Sequence, residues 1–500
     1  MRDYTLGNYI YEMRKKRGLS QYQLGLLLGV SDKAVSKWEN GSSKPRPDSY
    51  PRLAEILGVS VDELFSGESN VESPIYSALD QLKRELWNEA YSRLSIYGDT
   101  PPIECWSRLA SEESIRERSD IIHCLAVIGK IAEEAKRQNS VTFMSGLENS
   151  SYAAWLMGAT TVNPLPPHYF CPLCGNVEFD SSVADGFDLP PKKCKCGGTF
   201  LKDGHDIPHE GFTKAAKDHA HVSINISRNF KPVAVKIIRD FYSGLARVLP
   251  VSFEFDEPQW NYEAYVILPP ERKMPAVSDD GYWHPSLEEF YEWHSPTEDP
   301  LISLRFHSTL DKLQAIQSLL NGTLPDLSDI TSPYIINALY RKRRNSIPFI
   351  TDNIDSKEPI NFDLLVRIDC LSHTEGSWIG NGDKLVKKGI AGFRDIPASR
   401  EDVWTTIVNA LKKQNIHEYG FALKVMERAR KGLFQQGVPE RTRAFLLDLG
   451  LPEWFPVYLE KVKYLFPKGH GVASLVVDLL YEWYSIHCSE ALETAKKEVM

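Results

Sequence analysis

No run of apolar residues in this chain reaches the roughly 18–20 positions that a membrane-crossing helix requires. The opening stretch, MRDYTLGNYIYEMRKKRG, lacks the apolar segment of a secretory leader. Cysteine is sparse, with eight in 500 residues. Internal repeats and low-complexity tracts are missing. So is an excess of basic charge, since the formal net charge is −9. These absences argue against a membrane-spanning protein, a disulfide-stapled secreted scaffold and a repeat array. The expectation is a cytoplasmic chain with no membrane partner, whose cysteines are thiols or metal ligands.

What is present fits a multidomain globular protein: 42% hydrophobic and 25% charged residues over a length too great for one core. The charge is uneven. Residues 1–66 carry ten Lys/Arg against eight Asp/Glu, a net of +2, which leaves −11 for the remainder. The body therefore does not advertise a large nucleic-acid channel.

Residues 19–45, LSQYQLGLLLGVSDKAVSKWENGSSKP, hold the densest local pattern. Ser20 with Gln23 makes a capping box that starts a helix, and Gly29 ends it. Ser31 caps a second helix that stops at Asn40-Gly41. Ala34, Val35 and Trp38 face inward, which leaves Asp32, Lys33, Ser36 and Lys37 outward. Two short helices joined by a glycine-containing turn form a helix-turn-helix. Residues 48–67 supply two closing helices, the last capped by Ser60 with Glu63. The pattern over 5–66 resembles the Cro/C1-type (XRE) DNA-binding family. The resemblance implies a homodimer on double-stranded DNA, with Gln21 on a phosphate and Lys33, Ser36 and Lys37 reading bases or backbone. The candidate DNA-contacting set is Gln21, Ser31, Asp32, Lys33, Ser36, Lys37 and Lys44.

SGESNVES reads as a linker, assigned to 67–74, and helical spacing runs through 75–160. Three prolines exclude a helix at VNPLPPHYF. CPLC (171–174) and KCKCGG (193–198) then place Cys171, Cys174, Cys194 and Cys196 at a spacing that suits a four-thiolate structural zinc site. The second pair is C-x-C, one residue short, and Gly197-Gly198 supplies backbone freedom to compensate. Cys105, Cys124, Cys370 and Cys488 stand alone and read as core residues. His205, Asp206, His209 and Glu210 cluster in GHDIPHEGF, where structure is the simpler cause.

TTVNPLPPHYFCPLCGNVEF and GFDLPPKKCKCGGTFLKDGHDIPHEGF resemble the palm of PolC-type DNA polymerase III alpha subunits. LSHTEGSWIGNG (371–382), EYGFALKVMERARKG (418–432) and LPEWFPVYLEKVKYLFPKGHG (451–471) resemble that family's fingers. The order holds from about 140 to 490. Three departures stand out. The family's D-x-D palm strand is here His221-Val222-Ser223. Its third palm aspartate corresponds to Arg305 in ISLRF. Its glycine-serine phosphate loop reads FMSGLENSS, with Ser145 for arginine and an added Glu148. Two-metal nucleotidyl transfer needs carboxylates, which serine, histidine and arginine do not supply.

The fold expected is multidomain α+β: an all-α helix-turn-helix head (1–66), a helical region (75–140), a mixed α/β palm-like domain with a zinc ribbon (141–310) and a helical fingers-like region (311–500). The function expected is a sequence-specific DNA-binding transcriptional regulator that is not an enzyme. It uses structural zinc but no catalytic magnesium, and its body binds nucleotide, primer-template or a replication protein. Ser150, Ser151, Lys431, Lys468 and His470 are the candidate contacts there, and YRKRRNS (340–346) is either a phosphate-facing cluster or a solvated helix end. Two alternatives stay open. One is an active or residual DNA-directed DNA polymerase with substitute carboxylates from SFEFDEP (252–258). The other is a replisome-interacting polymerase mimic of a mobile element.

Overall fold

The computed structural model describes residues 4–499 except 18, 47–48, 60–63, 65–77, 99, 117–120, 210–220, 254–261, 270–271, 295–298, 323–324 and 418. The linker, the Ser60–Glu63 cap, Glu210 and the acidic part of SFEFDEP lie outside the described residues. The chain is multidomain α+β.

Among the described residues, four helices build the head: α1 (Tyr4–Lys16), α2 (Gln21–Leu28), α3 (Asp32–Glu39) and α4 (Tyr50–Leu57). The local signals act as the sequence suggests. Ser20 accepts from the Gln23 N–H while the Gln23 side chain accepts from the Ser20 N–H, and Ser31 accepts from Ala34 N–H. Gly29 turns the chain in the left-handed region at φ 68°. The head is not an isolated bead. Its core residues Leu19, Leu24, Leu53 and Leu57 join Leu86, Trp87, Ala90 and Leu109 of the following helices in one apolar cluster. Arg17 Nη1 lies 2.6 Å from Glu113 Oε1, and Tyr91 donates to the other Glu113 oxygen at 2.8 Å.

Helices Ala78–Ser92, Ile103–Arg116 and Ile121–Arg137 follow. The centre of the body is a five-stranded sheet, ordered β1-β5-β8-β7-β6: β1 Phe143–Ser145, β5 His221–Ile226, β6 Arg247–Phe253, β7 Tyr262–Leu268 and β8 Leu301–Phe306. β5 and β8 run parallel, and the other pairs are antiparallel. β1 interrupts a stretch that reads as helical in sequence. It is three residues long, too short to show a period, and the open edge of β5 recruits it. Strands β2 (His168–Phe170), β3 (Val177–Phe179) and β4 (Leu201–Asp203) form a separate three-stranded ribbon. Beyond β8 the chain is helical, and its largest apolar cluster joins helices Phe362–His373, Arg400–Lys413, Gly420–Arg430 and Lys468–His487. No described helix is long and apolar enough to cross a membrane.

Candidate functional site

The alternation in HVSINI divides the sheet into two faces. Val222, Ile224, Ile226, Ile302 and Leu304 turn to helices Ile121–Arg137 and Lys231–Tyr242 and are fully buried. The opposite face carries His221, Ser223 and Asn225 from β5, with Ser145 opposite Ser223 on β1. On β8, Ser303 lies opposite Ser223, and Arg305 lies two pairs further along, opposite Asn225. His221 Nε2 is 2.8 Å from Ser303 Oγ and 3.2 Å from Ser223 Oγ. The Arg305 guanidinium stacks over Tyr262 at 4.9 Å.

Among the described residues no strand side chain on this face is a carboxylate. Glu263, the acidic residue of β7, pairs in register with Leu304 and so points to the other face. It serves Lys231, Tyr265 and Tyr282 there. Imidazole and hydroxyl groups do not fit a pair of hard magnesium ions, which take carboxylate and water oxygens.

The loop after β1 is fixed by residues that sequence reasoning passes over. Glu112 is fully buried. It accepts from Ser151 Oγ (2.9 Å), Tyr152 N–H (2.8 Å), Ala153 N–H (3.1 Å) and Arg108 Nε (2.8 Å). Arg108 also donates to the carbonyls of Ser150 (2.6 Å) and Ile207 (2.9 Å). The only advance sign is an i,i+4 Arg/Glu pair, which on its own reads as a solvated helix face. Of the predicted contacts here, Ser151 is committed to capping the helix at Ala154. Ser150 Oγ and Ser145 Oγ are buried without a hydrogen-bond partner.

Helix Lys468–His487 packs its first turn on this loop, where a Cβ added at Gly469 would meet the Asn149 backbone at 3.0 Å. Lys468 is committed to the backbone: its ammonium donates to the His205 carbonyl at 2.6 Å. Burial opposes that charge, but Asp363, Asp185, Asp206 and Asp402 together hold it above the ordinary lysine value. His470 does face β1, with its ring 6.4 Å from that of Phe143. Lys431 is exposed at the C-cap of helix Gly420–Arg430. In the basic run 340–346, Arg343 pairs with Asp369 (2.8 Å) and Asp478 (2.6 Å), and Lys342 pairs with Glu482. His205 Nδ1 lies 2.8 Å from the buried Asp185.

The ribbon does gather one metal-like cluster. The sulfurs of Cys171, Cys174, Cys194 and Cys196 all lie within 4.8 Å of one another. Cys171–Cys196 is 3.5 Å and Cys174–Cys194 is 3.6 Å, near the roughly 3.8 Å edge of a tetrahedron with zinc–sulfur bonds of about 2.3 Å. The short C-x-C pair is accommodated by Gly197 at φ 91°, in the left-handed region. Burial works against ionisation of Cys171, yet the Cys174 and Leu173 N–H groups bring its thiol down to about 7. Four thiolates could hold a zinc ion here.

In the head, Asp32, Lys33, Lys37 and Lys44 are exposed, as is the cap Ser31, and Ser36 is half-buried. Gln21 donates its amide to Glu39 at 2.7 Å, inside a buried two-point ion pair between Arg14 and Glu39. Alanine at Lys33 or Lys37 is expected to weaken duplex binding and lower the salt-dependence slope by about one per lysine. Affinity measured from 50 to 200 mM salt checks this, and an unchanged slope for both variants refutes a DNA contact there.

Residues 10–64 match the family described as Helix-turn-helix. The chain is also similar to the PolC-type DNA polymerase III of Lacticaseibacillus paracasei, 27% identical over 478 residues, 82% of this chain and 32% of that protein. The Bacillus subtilis protein of the same name is 26% identical over 502 residues, 85% of this chain and 34% of that protein. The Bacillus cereus one is 27% identical over 467 residues, 79% and 31%. The chain thus spans about a third of the length of the curated relatives it matches. These matches correct the expectation that the chain is not an enzyme: the proteins it resembles over most of its length are DNA polymerases. The chain joins a helix-turn-helix module at 10–64 to PolC-type DNA polymerase III homology over about four-fifths of its length.

Proposed function

We propose that this chain works on DNA as a PolC-like polymerase body carried by a duplex-binding head. The body takes primer-template and deoxynucleotide, and DNA-directed nucleotide addition is the activity to measure. The observation that carries this is the similarity over 82% of the chain to a DNA polymerase. The exposed outer face of α3, with Asp32, Lys33 and Lys37, supports the DNA-binding part. Two heads on paired half-sites are consistent with it. Because the strand positions do not fit magnesium, nucleotide addition draws on carboxylates elsewhere, and Glu254 and Asp256, just after β6, are the candidates.

Primer extension with Mg²⁺ or Mn²⁺ and all four dNTPs tests the reading. Extension that disappears in a Glu254→Ala/Asp256→Ala variant supports it. Absence of extension, with primer-template and dNTP still bound, refutes it and favours the second reading. In that reading the chain is a DNA-binding regulator whose body senses those ligands for the head, and the helix-turn-helix match supports it.

A further inference from the structure

We infer that the cysteine ribbon is a peroxide-sensitive staple, in which oxidation exchanges a zinc ion held by four thiolates for two disulfides, Cys171–Cys196 and Cys174–Cys194. This chemistry belongs to the ribbon and is independent of what the body does with DNA.

Solvent access and distance divide the four sulfurs into two similar pairs. Cys174 and Cys196 are exposed, whereas Cys171 and Cys194 are buried, at 0% and 6% exposure. The close approaches, Cys171–Cys196 at 3.5 Å and Cys174–Cys194 at 3.6 Å, each join an exposed cysteine to a buried one. A peroxide-reactive thiolate needs access to the oxidant, and a neighbouring thiolate captures the first product before oxidation goes further. Each pair supplies both parts. Cys105, Cys124 and Cys370 are buried and stand outside this four-sulfur cluster.

Both pairs also cross from one knuckle to the other. Cys171 and Cys174 lie in the turn after β2, and Cys194 and Cys196 in the turn before β4. The backbone closes each turn by itself. Cys171 N–H donates to the Asn176 carbonyl at 2.9 Å and Gly175 N–H to the Cys171 carbonyl at 2.8 Å. In the second turn, Cys194 N–H donates to the Gly198 carbonyl at 2.8 Å and Gly197 N–H to the Cys194 carbonyl at 3.0 Å. The knuckles therefore keep their shape whether the sulfurs hold a metal or each other. Disulfides between them join the same two segments that the ion joins. Each pair must close by about 1.5 Å to reach a sulfur–sulfur bond of about 2.05 Å. Side-chain rotation and the left-handed Gly197 supply that movement.

The exposed thiolate attacks one peroxide oxygen, the O–O bond breaks, hydroxide leaves and a sulfenic acid remains. The buried thiolate then attacks that sulfur and displaces a second hydroxide. One hydrogen peroxide thus takes two electrons from each pair, and two convert all four thiolates. The cation leaves as Zn²⁺, because metal binding needs the thiolate form.

Hydrogen peroxide added in excess to the zinc-loaded full chain, with a zinc-sensitive dye present, tests this. Release of about one zinc per chain is expected. The product should weigh about 4 Da less than the reduced metal-free chain, the loss of four thiol hydrogens. Peptide mapping without reductant should place the disulfides at Cys171–Cys196 and Cys174–Cys194 and find Cys105, Cys124 and Cys370 as thiols. Dithiothreitol with added zinc should restore both mass and metal content. The oxidised chain should melt above the reduced metal-free chain, since two cross-links replace the ion. Zinc retained under peroxide, a bond within one knuckle such as Cys171–Cys174, or sulfinic and sulfonic acids in place of disulfides overturns the inference. So does equal oxidation of the buried cysteines outside the ribbon. The pairing is also decided on the reduced metal-free chain, where failure to form these two disulfides overturns the inference whatever the metal content of the purified protein.

Discussion

Glu112→Ala lowers the unfolding free energy of the body by about 3–5 kcal/mol, the usual result of stripping one partner from a buried, fully bonded ion pair. The carboxylate serves four donors, and its removal strands Arg108 and the N–H groups of Tyr152 and Ala153 in a water-free setting. Glu112→Gln retains an acceptor oxygen and should lose less. Urea titration read by tryptophan fluorescence checks this, since Trp155 stacks on Tyr152 and Trp106 on Tyr91. A loss under about 1 kcal/mol for the alanine variant would show that water replaces the carboxylate. The same variant should loosen the Ser145–Ser151 loop, because Arg108 holds the Ser150 carbonyl.

Purified chain is expected to carry one zinc per molecule by elemental analysis, and Cys194→Ser to carry almost none. Removing one of four thiolates should weaken zinc by about a hundredfold or more, since binding depends on every deprotonated ligand. Zinc loss should also reach beyond the ribbon. Asp188, in the same segment, accepts from the Phe362 and Asp363 N–H groups at 2.8 and 3.0 Å and so caps a helix of the C-terminal region. Faster amide exchange at 362–364 in the metal-free protein would show that coupling. Full zinc occupancy in Cys194→Ser would refute the four-thiolate assignment.

The features most legible in sequence are the ones written locally. The Ser20/Gln23 box, the Gly29 turn and the Ser31 cap each lie within a few residues, and each is present. The cysteine pairs announce their ribbon because two closely spaced pairs in a cysteine-poor chain suit a metal site. Alternation in HVSINI divides the two sheet faces correctly. Long-range placement is where sequence runs out. Nothing local says that Ser303, two residues before Arg305, stands opposite Ser223, because parallel register is set by the helices packed behind the sheet. Lys468 shows the same limit: its charge suggests a ligand contact, yet the fold turns it toward a backbone carbonyl. The Arg108–Glu112 pair is invisible for a related reason, since an i,i+4 ion pair looks alike whether solvent or another segment covers it.

The head shares an apolar core with the helices behind it and is pinned by Arg17 and Glu113. A duplex gripped by α3 is therefore held at a set bearing to the body instead of swinging on a tether. Each added base pair between the gripped site and a distant DNA feature rotates that feature by roughly 35° about the helix axis. A half-turn insertion of about five base pairs would carry it to the far side of the duplex, and a full turn would bring it back. Any action of the body on DNA held by its own head should accordingly rise and fall with spacer length, in phase with the double helix.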